Sequence, residues 1–173
     1  RTTMPGMELK PPNPNVTSQD RMAPGPDGAP DVMVRIYRPK DATGTLPGIY
    51  FIHGGGMILG DIDGEDAVAA SICEHVGAGV VSVEYRLAPE HPHPAPVEDC
   101  YAGLVWMARR ASELGLDPDR LAIYGGSAGG LLVGASALYA ATRPSLRTLE
   151  PAAEPPLAAT GAVAGLCPTT EAN

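Results

Sequence analysis

Three short runs are apolar at consecutive positions: Gly48-Ile-Tyr-Phe-Ile-His53, Gly79-Val-Val-Ser-Val-Glu-Tyr85 and Leu121-Ala-Ile-Tyr124. A strand with no polar face belongs in the middle of a sheet that is covered on both sides. Each run is followed by a helical stretch, predicted over Ala67 to Val76, over Val97 to Leu114, and through small residues to about Ala141. Strand and helix in alternation give a parallel sheet with right-handed crossovers. Upstream, Val16 to Met22 alternates weakly, Pro24-Gly-Pro-Asp-Gly28 reads as a turn, and Val32-Met-Val-Arg-Ile-Tyr37 alternates with β-branched residues. These form an antiparallel hairpin at one edge. The fold class is α/β, a mostly parallel sheet with an N-terminal antiparallel hairpin.

The pattern fades at both ends. Residues 1–14 are proline-rich and patternless, an N-terminal arm, and the core is assigned to residues 15–173. Within it, residues 142–160 carry Arg143-Pro144, Glu150-Pro151 and Glu154-Pro155-Pro156 among alanines, which reads as an atypical loop. Thr160 to Cys167 is expected to add one further strand, leaving a sheet truncated after about the sixth strand.

Composition narrows the class of partner. Apolar residues at 44% and charged residues at 18% are ordinary for a globular chain of 173 residues. Its 21 glycines and 19 prolines fall between the apolar runs without a three-residue period, which excludes collagen. A formal charge of -8 argues against nucleic acid or an anionic membrane surface and favours a neutral or cationic small molecule. Cys73, Cys100 and Cys167 are odd in number and widely spaced, so they read as buried thiols in a reducing, cytoplasmic compartment. No apolar run approaches the ~18 residues of a membrane helix.

Two turns carry candidate chemistry. Gly125-Gly-Ser-Ala-Gly129 matches G-x-S-x-G and sits between an apolar strand and a helix. A serine on so tight a turn adopts a strained backbone, and the flanking glycines let helix and strand pack closely. Its hydroxyl then stands at the positive end of the following helix. A glycine-rich turn can also hold a serine with no chemistry, so the second turn matters. His53-Gly-Gly-Gly56 follows an earlier strand and matches the pattern whose backbone N–H groups face a substrate oxygen in lipases and esterases. A nucleotide site is disfavoured, because no G-x-G-x-x-G and no Walker lysine occur here.

Taken in order, His53-Gly-Gly-Gly56, Tyr85-Arg-Leu-Ala-Pro-Glu-His-Pro92, Pro94-Ala-Pro-Val-Glu-Asp99 and Gly125-Gly-Ser-Ala-Gly-Gly130 resemble the bacterial hormone-sensitive-lipase-like esterases of the α/β-hydrolase fold. The resemblance spans about Val32 to Ala141. It implies Ser127 as nucleophile and the amides of Gly55, Gly56 and Ala128 as an oxyanion hole. It further implies a supporting role for His53, Gly54, Gly125 and Gly129, and for the group Arg86, Glu90, Glu98 and Asp99. The activity implied is hydrolysis of short-chain carboxylic esters, with neither metal nor cofactor. Many members carry aspartate before the serine, where this chain has Gly126.

The departure from the pattern lies downstream of the serine. Such triads run Ser, then Asp or Glu, then His. No histidine occurs after Ser127, and the acids beyond it, Glu150, Glu154 and Glu171, lie in proline-rich or terminal sequence. His75 reads as a helix-surface residue, and His91 and His93 as solvated loop residues between prolines. The expectation is an esterase part that is nearly inactive alone, its triad completed in a longer enzyme or by another polypeptide. A homo-oligomer or a second chain completing the fold is the partner that this implies. The alternatives are a non-catalytic ligand-binding protein on the same scaffold and an inactive fragment.

Overall fold

The computed structural model describes residues 11–142. In chain order they form β1 (Val16–Ala23), β2 (Val32–Pro39), β3 (Leu46–Ile52), α1 (Asp66–Val76), β4 (Gly79–Glu84), α2 (Ala95–Arg109), β5 (Leu116–Gly125) and α3 (Ala128–Thr142). The five described strands make one mixed sheet in the order β1-β2-β4-β3-β5. The hairpin β1–β2 is antiparallel, and it enters the sheet through an antiparallel pairing of β2 with β4. From there β4, β3 and β5 run parallel, as their apolar character requires.

Alternate residues of the central strands serve two cores. Tyr50 and Ile52 of β3, with Val81 and Val83 of β4, pack against Val97, Cys100, Trp106 and Met107 of α2 and Leu132 of α3. Phe51 and Val80 point the other way, into a smaller core with Ala69, Ala70 and Cys73 of α1. Two helices thus cover one face, while α1 covers the β2–β4 side of the other. Tyr124 of β5 remains half exposed on that second face, stacked on Phe51 at 5.8 Å between ring centroids.

The second face is pinned by charge. Arg35 on β2 donates to both carboxylate oxygens of Asp20 on β1, at 2.6 and 3.0 Å, and also to Asp63 and Asp66 at the start of α1. Tyr37 donates to the same Asp66 oxygen at 2.9 Å. The Asp20 hydrogen bond, against desolvation and with further help from Asp63, raises the Arg35 pKa and keeps it charged. At the other end of α1, Asn13 and Asn15 both donate to Glu74 and hold its carboxyl below the usual range. The part of the N-terminal arm that is described is therefore tied to the domain.

Several expected boundaries shift. The second helix starts at Ala95 and ends at Arg109, five residues before Leu114. Prolines are tolerated in a first turn, where their missing N–H would have no acceptor. At the far end the chain turns through Gly115, at φ +68°, so that Leu116 can pair with Leu46. The last described strand accordingly begins at Leu116 rather than Leu121, and a register shift between Leu46 and Gly48 absorbs polar residues in between. Cys73 and Cys100 are buried free thiols, and burial pushes the Cys73 pKa up to about 11. Cys167, the loop at 142–160 and the strand expected at Thr160 to Cys167 lie outside the described residues. No helix among the described residues is long and apolar enough to cross a membrane.

Helix α2 approaches β3 closely at Gly103. A β-carbon there would collide with Tyr50 Oη, which donates to the carbonyl of Cys100 one turn earlier at 2.9 Å. Gly103→Ala is expected to cost about 1–3 kcal/mol in urea unfolding through overpacking. The loss should shrink in a Tyr50→Phe background. Equal losses in both backgrounds would place the strain elsewhere.

Candidate active site

Ser127 is the link between β5 and α3. Its φ is +54°, the left-handed region that a non-glycine residue enters only at a cost of about 1–3 kcal/mol. Packing beside it enforces the conformation. A β-carbon at Gly129 would lie 2.9 Å from the His53 carbonyl oxygen and would overlap that of Ile52. The first turn of α3 therefore sits directly against the end of β3. The turn is closed by Gly129 N–H donating to Gly126 O at 2.9 Å and Gly130 N–H to Ser127 O at 3.0 Å. Ser127 itself is exposed, whereas Ala128 is buried at the helix start, where the first N–H groups have no intrahelical acceptor.

The turn after β3 lies beside it. A β-carbon at Gly54 would come within 3.7 Å of Ser127 Cβ. Gly55 and Gly56 have φ of +110° and +66°, and Met57 is also left-handed at +64°. Two N–H groups, of Ile58 and Leu59, donate to the Gly55 carbonyl and close the loop. His53 is fully buried, stacked on Tyr85 at 4.2 Å, and its Nδ1 is 2.8 Å from the Gly54 carbonyl oxygen. Tyr85 donates to the His53 carbonyl at 2.9 Å. Burial raises the Tyr85 pKa, so the phenol stays protonated and keeps donating.

A second layer holds this loop from behind. Asp99 of α2, only 1% exposed, accepts from the Arg86 backbone N–H at 3.0 Å and from its Nε and Nη2, both at 2.7 Å. Bound in this way, the Arg86 segment presents Ala88, whose N–H donates to the Met57 carbonyl at 2.9 Å. The connection runs from α2 through Asp99, Arg86 and Ala88 to the glycine loop. Glu98 is half-buried in the first turn of α2, and Glu90 is exposed. His75, His91 and His93 are all exposed.

Between the two turns lies a cavity of about 420 Å³, a size suited to a small ligand. Its lining brings Ser127 and Gly126 together with Gly54, Gly55 and Gly56. Phe51, Tyr124, Val68 and Glu65 complete the wall. The last four were not among the residues the sequence pointed to, because none belongs to a motif. Phe51 and Tyr124 end apolar strands and Glu65 precedes a helix, positions that become informative only once the strands are aligned.

Asp99→Asn keeps the shape of the side chain and removes its charge. Given hydrogen bonds to a charged partner worth about 1.5–3 kcal/mol each, it is expected to destabilise the chain measurably. By hydrogen exchange, protection should fall at residues 54–60 and 86–91 while the Arg35 cluster is unchanged. Uniform loss over the whole sheet would contradict the connection through Arg86 and Ala88.

Known proteins share this architecture. Residues 49–170 match the α/β-hydrolase fold family. Carboxylesterase NlhH of Mycobacterium tuberculosis is 49% identical over 106 residues, which are 61% of this chain and 33% of that protein. Carboxylic ester hydrolase LipN of the same organism is 46% identical over 130 residues, 75% of this chain and 32% of that protein. Among solved structures, a bacterial heroin esterase superposes with a TM-score of 0.72 at 41% identity, covering 74% of this chain and 40% of that one. The chain thus spans about a third of the length of the curated relatives it matches. With five described strands in this order, a left-handed serine between β5 and α3, and these relatives, the chain belongs to the α/β-hydrolase fold family, in its hormone-sensitive-lipase-like branch.

Proposed function

We propose that this chain carries the nucleophile and oxyanion hole of a serine carboxylesterase for short-chain carboxylic esters. The observation that carries the reading is Ser127 in the left-handed region, sharing one small cavity with Gly54, Gly55 and Gly56. In this reading Ser127 Oγ attacks the ester carbonyl carbon. The carbonyl oxygen becomes an oxyanion facing the amides of Gly55, Gly56 and Ala128, each donor worth ~3 kcal/mol in such sites. Collapse expels the alcohol and leaves an acyl-serine, which water then hydrolyses. The N-terminus of α3 adds positive potential where the negative charge develops.

His53, Gly54, Gly125 and Gly129 serve the geometry in this scheme. The His53 ring is buried against Tyr85 with Nδ1 on a backbone carbonyl, which supports a positioning role. The proton of Ser127 needs a base and an acid behind it, and the sequence holds no histidine after Ser127. A second reading is a ligand-binding protein on the same scaffold, for which the apolar wall of Phe51, Val68 and Tyr124 beside Ser127 is the supporting observation. Under the esterase reading a further segment or a partner chain supplies the base, and the substrate is a small ester.

A chimera separates the two. Residues 1–142 are joined to the remaining length of Carboxylesterase NlhH, whose matched part is 49% identical. The chimera is expected to hydrolyse p-nitrophenyl acetate and butyrate and to lose on the order of 10⁶ in turnover on Ser127→Ala. The 173-residue chain by itself should be nearly silent with both esters and label weakly with a fluorophosphonate. A folded chimera without Ser127-dependent turnover would favour the binding protein. Ser127-dependent hydrolysis by the 173-residue chain alone would show that one of its own histidines acts as the base.

A further inference from the structure

We propose that Tyr85 is a positioning residue for the oxyanion hole: with the His53 imidazole it holds the Gly54 carbonyl from behind, and so aims the Gly55 N–H at the substrate oxygen. The proposal deepens the esterase reading and rests on it for the reaction, while its geometry is carried by Tyr85 and the segment from His53 to Gly60.

In a trans peptide the carbonyl of one residue and the N–H of the next point in opposite directions. Both peptides of the glycine run, 54–55 and 55–56, are trans. Whatever captures the Gly54 carbonyl therefore decides where the Gly55 N–H points, and the capture of the Gly55 carbonyl decides the same for Gly56. The two captures differ in kind. The Gly55 carbonyl accepts from the loop's own backbone, the N–H groups of Ile58 at 3.2 Å and Leu59 at 2.9 Å. The Gly54 carbonyl accepts from side chains, the Nδ1–H of His53 at 2.8 Å and, over a longer 3.4 Å, the Tyr85 hydroxyl. One of the two loop donors is thus set by side chains.

Tyr85 governs this capture through both its hydroxyl and its ring. The hydroxyl donates at 2.9 Å to the His53 carbonyl, the same oxygen against which Gly129 of α3 packs. The ring is fully buried and lies along the His53 imidazole, with 4.2 Å between centroids and 14° between planes. A carbonyl only accepts, so the imidazole carries a proton on Nδ1, and the stack keeps that nitrogen facing Gly54. Gly60, at φ +92°, closes the space from a second direction. A β-carbon there would stand 2.8 Å from the Gly54 carbonyl oxygen and 2.9 Å from His53 Nδ1. Among the described residues, Gly54, Gly55, Gly56 and Ser127 line the cavity and neither ring does. The rings therefore stand behind the loop, and a carbonyl turned towards them turns the Gly55 N–H to the cavity side.

Tyr85→Phe removes the hydroxyl and keeps the stack. In the ¹³C-labelled 173-residue chain, the carbonyl resonances of His53 and Gly54 should move to lower frequency as a donor is lost, with those around Arg35 unchanged. In the chimera with Carboxylesterase NlhH, kcat on p-nitrophenyl acetate is expected to fall about tenfold with KM unchanged. That is part of the roughly 10²–10³ that a whole donor supplies, and it falls on kcat because the N–H acts mainly on the oxyanion. A second substrate reads the hole itself. p-Nitrophenyl thionoacetate places sulfur where the oxyanion forms and gains less from a well-aimed N–H, so its rate should fall less and the ester-to-thionoester ratio should shrink. Gly60→Ala, which pushes the same carbonyl from a second direction, should give the same signature, and it decides the outcome if Tyr85→Phe does not fold by circular dichroism. An unchanged kcat in Tyr85→Phe overturns the proposal. So does a lower kcat with an unchanged ester-to-thionoester ratio, the mark of a purely structural tyrosine, and so do carbonyl resonances that stay in place. A chimera without Ser127-dependent hydrolysis removes the esterase reading, and the carbonyl resonances alone then decide whether Tyr85 holds the loop.

Discussion

The close approach of α3 to the end of β3 is the constraint on which the site depends. Only hydrogen fits at Gly129 beneath the carbonyls of Ile52 and His53. With the helix start held there, the chain leaving β5 must reverse within a few residues, and Ser127 takes the left-handed conformation. The same contact sets the spacing between the serine and the glycine loop, because that loop begins at the carbonyls that meet Gly129. The strain at Ser127, about 1–3 kcal/mol, is small beside the core packing of α3 through Leu132 and so persists.

Two polar assemblies divide the remaining work by face. On the α2 side, Asp99 gathers three donors from one arginine and, through Ala88 and Met57, braces the glycine loop. On the α1 side, Arg35 gathers three aspartates from β1 and the start of α1. Asp99 is fully buried and its loss leaves an arginine without its charge partner, the costly case. The aspartates around Arg35 retain more solvent and lose less individually. The loop beside the serine thus has the stiffer support.

Much of this was legible in the sequence where the signal is local. The turn at Gly125–Gly129 and the run His53–Gly56 are each set by residues adjacent in the chain, so motif and geometry coincide. The Arg86–Asp99 pair was visible as membership of a group, though not its triple hydrogen bond, which depends on how α2 lies against β4. The start of β5 escaped because Leu116 is separated from Leu121 by Asp-Pro-Asp-Arg, polar residues that carry no strand pattern. Glu65 was invisible for a different reason: its place in the cavity wall depends on how the start of α1 lies against the glycine loop, not on its neighbours in the chain.

The same polar tetrad in β5 bears on how the molecule behaves at high concentration. Among the described residues, the outer side of β5 has no neighbouring strand, so its backbone groups form a ready template for another chain. Pro118 removes one donor from the lower half of that strand, and Asp117, Asp119 and Arg120 surround it with charge. Arg120 is turned back onto Asp117 at 2.6 Å instead of reaching outward. Among the described residues, the edge without such charge runs from Leu121 to Gly125. Pairing of a further strand with the described edge is therefore confined to about five residues, and the charged tetrad opposes its extension below Leu121.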